Sequence, residues 1–351
     1  MFKDIVGQNS AVKILEAAVK NKRWASSYLF IGPEGVGKKQ AALSLAQALN
    51  CQDLRENESG RLDACGKCLS CRKVSQSNHP DVQVIVPEPD KASISIDQIR
   101  LIQKNSFFKP LEGRQKVYII DDAGSLTTEA MNCFLKILEE PPSQVVFVLI
   151  TFNVLLLLET IISRCQIIKF NNLPRTEVTA ILTGRCGLSP EEASVLASIS
   201  AGSAGVSLNY HDYGVVLERE NMVKLLDEVN TGNISFLFRE AERLSKDKDN
   251  VQLWLSLLVS FWRDIFFSRI FSDSTAGIEP DELLINRDSA GQLKDKLANF
   301  STGTLKEHIE LILHTKALIQ RNVNPRLALE TMFLNLTRNS ELENSQTNSK
   351  E

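Results

Sequence analysis

Residues 32–40 read GPEGVGKKQ; the apolar run SYLFI precedes them and the segment AALSLAQALN, which has a helical pattern, follows them. This stretch differs by one residue from the phosphate-binding pattern G-x-x-x-x-G-K-[ST], which joins a strand to a helix. Gly32, Gly37 and Lys38 fit the pattern, whereas Lys39 stands where a magnesium-binding hydroxyl is required. The stretch therefore predicts an α/β domain built around a nucleotide loop that lacks one metal ligand.

The segments around this loop alternate between short strand-like apolar runs and helical periodicity up to about residue 170. Such alternation predicts a parallel sheet that is covered by helices on both faces. From Pro174 onward the strand signals almost vanish and the segments have helical periodicity. We predict boundaries near Asn171 and near residues 212–214, and a disordered polar tail at 339–351.

The chain has 351 residues, of which 43% are hydrophobic and 24% are charged, so it is long enough for two or three domains. A formal net charge of -3 argues against a protein that coats nucleic acid by bulk charge, although local contacts stay open. The start of the sequence has no signal-peptide pattern, and no apolar stretch is long enough for a membrane span. We expect a cytoplasmic protein whose seven cysteines are reduced.

Four cysteines form a cluster in the segment that begins directly after the predicted helix AALSLAQALN. Cys51, Cys65, Cys68 and Cys71 have the spacing C-x13-C-x2-C-x2-C. Four thiolates at this spacing can close a tetrahedral Zn²⁺ site, and four protein ligands make such a site structural. The alternatives are four unrelated thiols or a redox C-x-x-C pair, for which the surrounding sequence lacks a thioredoxin-like context.

Several motifs occur in one order: FKDIVGQ, SSYLFIGPEGVGKK, the four-cysteine insert, GRQKVYIIDDAGSLTTEAMNCFLKILEEPP and ISRCQIIKF. Together they resemble the AAA+ subunits of the bacterial replicative clamp loader, closely over residues 1–170. The resemblance implies an AAA+ P-loop domain with a zinc-binding insert at 51–71. It also implies a helical lid at 171–213 and a C-terminal helical collar for oligomerisation at 214–338.

Members of this family act in DNA replication as parts of the DNA polymerase III holoenzyme. The resemblance implies that the partners are the motor subunits and the delta subunit. The sliding clamp and primer-template DNA would be reached through the complex, and no membrane is involved. Motor subunits of the family hydrolyse ATP, whereas one stationary subunit has lost this chemistry, so the two types must be separated by individual residues.

Three positions of the implied nucleotide site depart from the motor pattern. Lys39 has donors and no acceptor, so it cannot ligate a cation. Asp122 stands where motor subunits carry the glutamate that activates water, and it is about one methylene shorter. In the lid stretch GSAGVSL, Gly205 takes the place of an arginine that touches the γ-phosphate. The remaining residues of this degenerate site are Gly32, Gly35, Gly37, Lys38 and Asp121, so weak nucleotide binding stays open.

Arg164 lies in an intact Ser163-Arg164-Cys165 motif. In the clamp-loader family this arginine projects into the ATP site of a neighbouring subunit, where a guanidinium stabilises charge on the transferring phosphoryl group. From the residues alone, a surface ion pair is the alternative. An intact arginine beside a degraded nucleotide site is the pattern of the stationary subunit.

These observations favour a non-catalytic clamp-loader subunit that has no ATPase activity of its own. Two alternatives stay open at this point: an active motor ATPase, which Lys38 and Asp121 support, and a zinc-dependent nucleic-acid-binding module. In the helical half, Trp254, Trp262 and Phe266 belong to a segment that is apolar on most sides. They predict a core helix or, if they face outward, a subunit contact.

Overall fold

A computed structural model describes residues 1–56, 62–89, 91–272, 284–286 and 300–347. The chain divides into two compact units, Met1–Ile181 with Gly202–Gly205 and Leu182–Ala201 with Val206–Glu351. The division into a P-loop domain, a lid and a collar is finer than this and stays a prediction.

The first unit contains a five-stranded parallel sheet in the order β4-β5-β6-β1-β7. The interior strand β1 pairs with β6 and with β7, so both of its edges are covered. The strand predictions are confirmed, whereas β7 was not predicted because it is short and mostly exposed. The strands are β1 Ser27–Ile31, β4 Val82–Ile85, β5 Lys116–Ile120, β6 Val145–Thr151 and β7 Gln166–Lys169.

Helices pack on both faces of this sheet, as the alternating pattern predicts. Successive side chains of β1 point to opposite faces, so Tyr28 and Phe30 join one buried cluster and Leu29 joins the other. A two-stranded hairpin, β2 Arg55–Glu56 and β3 Leu62–Asp63, lies in the cysteine insert. The helices are α1 Asn9–Lys20, α2 Lys38–Asn50, α3 Leu69–Ser75, α4 Ile96–Ser106, α5 Thr128–Glu139 and α6 Glu159–Ile162.

The loop between α4 and β5 is held by one buried carboxylate. Asp81 Oδ1 accepts a hydrogen bond from Leu111 N at 2.7 Å. Asp81 Oδ2 accepts from Glu112 N at 2.8 Å and from Gly113 N at 2.7 Å. Burial raises the pKa of Asp81, but the backbone donors outweigh burial and leave this pKa below its ordinary value. A single side chain thereby fixes three consecutive peptide groups.

After β7, the secondary structure of the described residues is helical, as predicted. Trp254 and Trp262 in the long helix α12 are buried, and Phe266 is partly exposed, so the two tryptophans belong to the core. The edge of Trp254 meets the ring of Phe333. The helices are α7 Arg175–Cys186, α8 Pro190–Ile199, α9 Ala204–Asp212, α10 Val215–Thr231, α11 Ile234–Leu244, α12 Lys248–Ser272, α13 Thr302–Gln320 and α14 Pro325–Thr347.

Helix α14 continues to Thr347 and so enters the segment that the composition predicts to be disordered. An existing helix is extended at the cost of fixing one residue per added hydrogen bond, which polar residues tolerate. Residues 348–351 of the predicted tail lie outside the described residues. Among the helices that the structure describes, none is long and apolar enough to cross a lipid bilayer.

Candidate functional site

The glycine-rich loop lies at the carboxyl edge of the sheet, directly after the interior strand β1. Gly32 N donates to Thr151 O at the end of β6 at 3.3 Å, which fixes the start of the loop. Gly37 precedes α2 as its N-cap and has a φ of +100°, a backbone conformation that residues other than glycine rarely adopt. The loop therefore turns sharply and directs the N-terminus of α2 toward the end of β5, where Asp121 follows.

Lys38 is turned back onto the loop itself. Its Nζ donates to Gly32 O at 2.6 Å and also to Pro33 O. The side chain is buried, and burial lowers the pKa of this ammonium, while the carboxylates of Asp121 and Asp122 act in the opposite direction. The residue that fits the phosphate-binding pattern is thus engaged with carbonyl oxygens of its own loop.

Lys39 makes the contact that the sequence alone does not reveal. Its Nζ lies 2.9 Å from Asp121 Oδ2, and the two side chains are 52% and 26% exposed. Lys39 is the second residue of α2, and Asp121 directly follows β5. An ammonium therefore bridges the two elements that supply the hydroxyl and the carboxylate to magnesium in a working P-loop.

Asp122, the candidate for water activation, has an unusual backbone conformation. Its φ of +65° and ψ of +73° place it in the left-handed region, which is uncommon for a residue with a side chain. Its Oδ1 is buried and has no hydrogen-bond partner among the described residues. Burial raises the pKa of this carboxyl group, and the backbone N–H of Gly124 opposes the shift. One oxygen of this half-buried carboxyl group thus lies buried beside the following turn.

Gly205 touches the nucleotide loop through its backbone. Gly205 N donates to Gly35 O at 2.8 Å, and Ser203 Oγ donates to Glu34 O at 2.8 Å. A Cβ atom added at Gly205 would lie 2.7 Å from Gly35 Cα, closer than real contacts allow. The sequence predicts only the loss of an arginine here, whereas the structure shows that any side chain would displace the loop.

Gln8 is a site residue that the sequence analysis missed. Its Nε2 donates to Val36 O at 3.3 Å and to Asn171 O at 2.7 Å, and its Oε1 accepts from Asn171 N at 3.1 Å. The side chain is buried and connects the N-terminal segment to the glycine-rich loop. Its only sequence signal is its place in FKDIVGQ, which gives no indication of a contact with Asn171.

Arg164 lies just after α6 and is held by two acceptors. One guanidinium nitrogen donates to Thr160 O at 3.0 Å, and the other donates to Glu139 Oε1 at 2.9 Å. The arginine side chain is 35% exposed. The structure thus contains the ion pair that the residue-level alternative expects, and the guanidinium keeps further N–H groups for another ligand. Glu139 as its partner was not predicted.

The four cysteines come together, as their spacing predicts. The Sγ atoms of Cys51, Cys65, Cys68 and Cys71 all lie within 4.8 Å of one another, in a position to bind a metal ion. Three sulfurs accept backbone hydrogen bonds: Cys51 from Cys65 N, Cys65 from Cys68 N and Cys68 from Cys71 N. These donors stabilise thiolates, the form that binds metals. The described residues therefore form a site for a metal with thiolate ligands.

The electrostatics differ among these thiols. Burial raises the pKa of Cys71, whereas for Cys65 the raising effect of burial is outweighed by the N–H groups of Lys67 and Cys68, and its pKa falls to about 7. The apolar support is small, because Cys51, Ala64 and Cys71 form a separate buried cluster. A cross-linking metal suits a cluster of this size.

Asp63 connects the cysteine insert to the start of the chain. Its Oδ1 accepts from Phe2 N at 3.0 Å and from Ala64 N at 2.7 Å, and its Oδ2 accepts from Lys3 N at 3.1 Å. The side chain is buried. This contact was not predicted, because a single aspartate in a polar segment has no distinguishing sequence pattern.

Residues 7–174 match a protein family described as DNA polymerase III, delta subunit. Subunit delta' of DNA polymerase III from Bacillus subtilis is 29% identical over 333 residues, which are 94% of this chain and 96% of that protein. Subunit tau from the same species is 34% identical over 248 residues, or 68% of this chain and 42% of that protein. Subunit gamma/tau from Mycobacterium tuberculosis is 26% identical over 359 residues, or 95% of this chain and 60% of that protein.

This chain therefore spans nearly all of the delta' relative and 60% or less of the tau and gamma/tau relatives. Among solved structures, a DNA polymerase III gamma subunit-related protein from Thermotoga maritima is 20% identical, with a TM-score of 0.43, and covers 93% of this chain and 99% of that chain. The chain is similar to subunits of bacterial DNA polymerase III over most of its length.

Proposed function

We propose that this chain is a stationary, delta'-type subunit of a bacterial replicative clamp loader, and that it helps to load the sliding clamp onto primer-template DNA without hydrolysing ATP itself. The similarity to subunit delta' supports this proposal because it extends over almost the full length of both proteins. The proposal includes motor subunits and a delta subunit as partners and a cytoplasmic location.

One observation carries the non-catalytic part of the proposal: the ion pair between Lys39 and Asp121. A P-loop ATPase needs a hydroxyl at the first position and a free carboxylate at the second to hold Mg²⁺. Here the hydroxyl is replaced by an ammonium that engages the carboxylate. Asp122, which is shorter than the expected glutamate and has one oxygen buried, and Gly205, which offers no guanidinium to a γ-phosphate, support the same conclusion.

Arg164 is proposed to serve the ATP site of a neighbouring motor subunit. It is partly exposed and, among the described residues, contacts the exposed Glu139 and the carbonyl of Thr160, so a phosphate of higher charge can compete for it. An exposed pair of this kind contributes at most about 1 kcal/mol to folding. Arg164→Ala should therefore leave the chain folded, whereas turnover at the shared site should fall by up to about a thousandfold.

The test combines the wild-type chain or a variant with motor and delta subunits and measures assembly, steady-state ATPase and clamp loading in parallel. Arg100→Ala is the matched control, because Arg100 is also exposed and pairs with an acidic neighbour, Asp97. Normal ATPase activity and clamp loading with Arg164→Ala would show that Arg164 is a surface residue without a role in the neighbouring ATP site. Magnesium-dependent ATP turnover by the chain alone would instead favour the motor-type alternative.

Zinc is the metal that we assign to the four-cysteine cluster. Sulfur atoms that lie about 2.3 Å from a tetrahedral Zn²⁺ are about 3.8 Å apart, which suits a group of Sγ atoms within 4.8 Å of one another. Cys51, Cys65, Cys68 and Cys71 would fill all four positions. The ion would cross-link a segment with a small core, and it would take no part in ATP chemistry.

A further inference from the structure

The nucleotide loop carries a cation of its own between α2 and β5. The ammonium of Lys39 lies 2.9 Å from Asp121 Oδ2, and the backbone of α2 begins one residue earlier at Lys38. The ammonium thus bridges the first turn of α2 and the residue that follows β5. Any metal ion that joins a nucleotide to this loop must be held by the same two positions, 39 and 121.

Mg²⁺ and an ammonium cannot share Asp121. Mg²⁺ requires oxygen ligands at about 2.0–2.1 Å in octahedral geometry, and an ammonium supplies only donors. Displacing Lys39 would leave its positive charge beside the metal, because the side chain starts at a fixed position on α2. Lys39 therefore already places a positive charge at this position, and residue 39 lacks the oxygen that Mg²⁺ needs as a ligand.

We propose that Lys39 is the residue that excludes magnesium nucleotides from this loop, and that a hydroxyl at position 39 gives the loop Mg²⁺-dependent binding of nucleoside di- or triphosphates. The inference deepens the proposed non-catalytic function and rests on it for the view that the site performs no hydrolysis. By this inference, Lys39 alone accounts for the loss of Mg²⁺ binding, whereas Asp122 and Gly205 account for the loss of ATP turnover.

Other features of the loop are the same in the wild type and in a variant with a hydroxyl at position 39, so they do not affect a comparison of the two proteins. Lys38 must leave Gly32 O to reach a phosphate in either form. The contact between Gly205 N and Gly35 O is made by backbone atoms and does not involve residue 39. The pair of Lys39 and Asp121 is partly exposed, so its removal should change the free energy of unfolding by no more than about 1 kcal/mol.

The test measures binding of a fluorescent ADP analogue to the full-length chain by anisotropy, in MgCl₂ and in EDTA. The variants are Lys39→Thr, which supplies the hydroxyl, and Lys39→Met, which removes the charge without supplying an oxygen. We expect affinity to differ by less than about twofold between the two buffers for the wild type and for Lys39→Met. For Lys39→Thr, we expect Mg²⁺ to tighten binding by at least about tenfold, the lower range for gaining a metal contact.

Urea unfolding of each variant checks that the fold is retained, and Lys39→Ser replaces Lys39→Thr if the threonine variant does not fold. The inference is wrong if Mg²⁺ tightens binding to the wild type tenfold, if it does so equally for Lys39→Met, or if the hydroxyl variant gains no magnesium dependence. ATP turnover is measured in the same samples. Turnover by the wild type would refute the proposed function, whereas binding without turnover by Lys39→Thr would support both conclusions.

Discussion

The carboxylate of Asp81 offers a quantitative test of how the loop between α4 and β5 is held. The substitution Asp81→Asn keeps the size of the side chain and replaces one acceptor oxygen by an NH₂ group. In the native chain, Leu111 N donates to one oxygen, and Glu112 N and Gly113 N donate to the other. The amide can therefore satisfy only one of these two sides.

The magnitude follows from the number of donors. A hydrogen bond to a charged group contributes about 1.5–3 kcal/mol, and a neutral acceptor is weaker. If the amide oxygen of the variant faces Glu112 and Gly113, the bond from Leu111 is lost and the other two weaken. The buried NH₂ group then opposes an N–H donor. We expect the free energy of unfolding to fall by about 2–4 kcal/mol.

Urea unfolding at pH 7 measures this loss, and hydrogen exchange by mass spectrometry should show faster exchange in residues 107–115. Asp97→Asn is the control, because Asp97 is 82% exposed and forms an exposed ion pair with Arg100 in the first turn of α4. The control should cost less than about 1 kcal/mol. A loss below about 0.5 kcal/mol for Asp81→Asn, or unchanged exchange in the loop, would refute the reasoning.

The same carboxylate predicts a pH dependence. The pKa of Asp81 in the folded chain lies below its ordinary value of 3.8, because three backbone donors outweigh the opposing effect of burial. A carboxylate with a lowered folded pKa stabilises the fold above its unfolded pKa, and this contribution is lost as the pH falls through the folded pKa. The stability difference between wild type and Asp81→Asn should therefore be full at about pH 5 and above, and shrink below pH 3.8.

Two further predictions concern the cysteine cluster and the glycine loop. Metal analysis should give about one Zn²⁺ per wild-type chain and markedly less for Cys68→Ser. The control variant Cys186→Ser, which lies outside the cluster, should keep its metal. A metal-free wild-type chain with an intact fold would contradict the assignment. Gly205→Ala should lower the free energy of unfolding by about 1–3 kcal/mol, because the new Cβ atom would clash with Gly35 Cα. The control Gly184→Ala, at a position of α7 with open space around it, should be neutral or stabilise the chain by up to about 1 kcal/mol. Equal effects of the two substitutions in urea unfolding would contradict the steric argument.

The sequence predicted the elements of the fold well because their signals are local. Short apolar runs such as SYLFI and VVFVLIT are too apolar for exposed segments, and each became a buried strand. Strand β7 escaped detection since only Ile168 among its residues is buried. The cysteine cluster was also predictable, because three of its members lie within one short segment and chain geometry keeps them close.

The contacts that define the candidate site were not predictable in the same way. The sequence shows that Lys39 has no oxygen for a metal, but the reach of its ammonium to Asp121 depends on how α2 and β5 are arranged. Likewise, Glu139 lies 25 residues before Arg164 in the sequence, and only the packing of α5 beside α6 brings the two side chains together. Such pairings depend on tertiary structure, for which residue type gives no local signal.

The position of β1 between two strands that come much later in the sequence has a consequence for synthesis of the protein on the ribosome. Strand β1 leaves the ribosome early, yet its partners β6 and β7 are encoded on the order of a hundred residues later. At roughly 5–20 residues per second, this apolar strand waits on the order of 10 s before either edge is covered. During this interval its unpaired N–H and C=O groups can pair with another chain. We therefore expect nascent chains truncated before β6 to require chaperone protection that the completed chain does not.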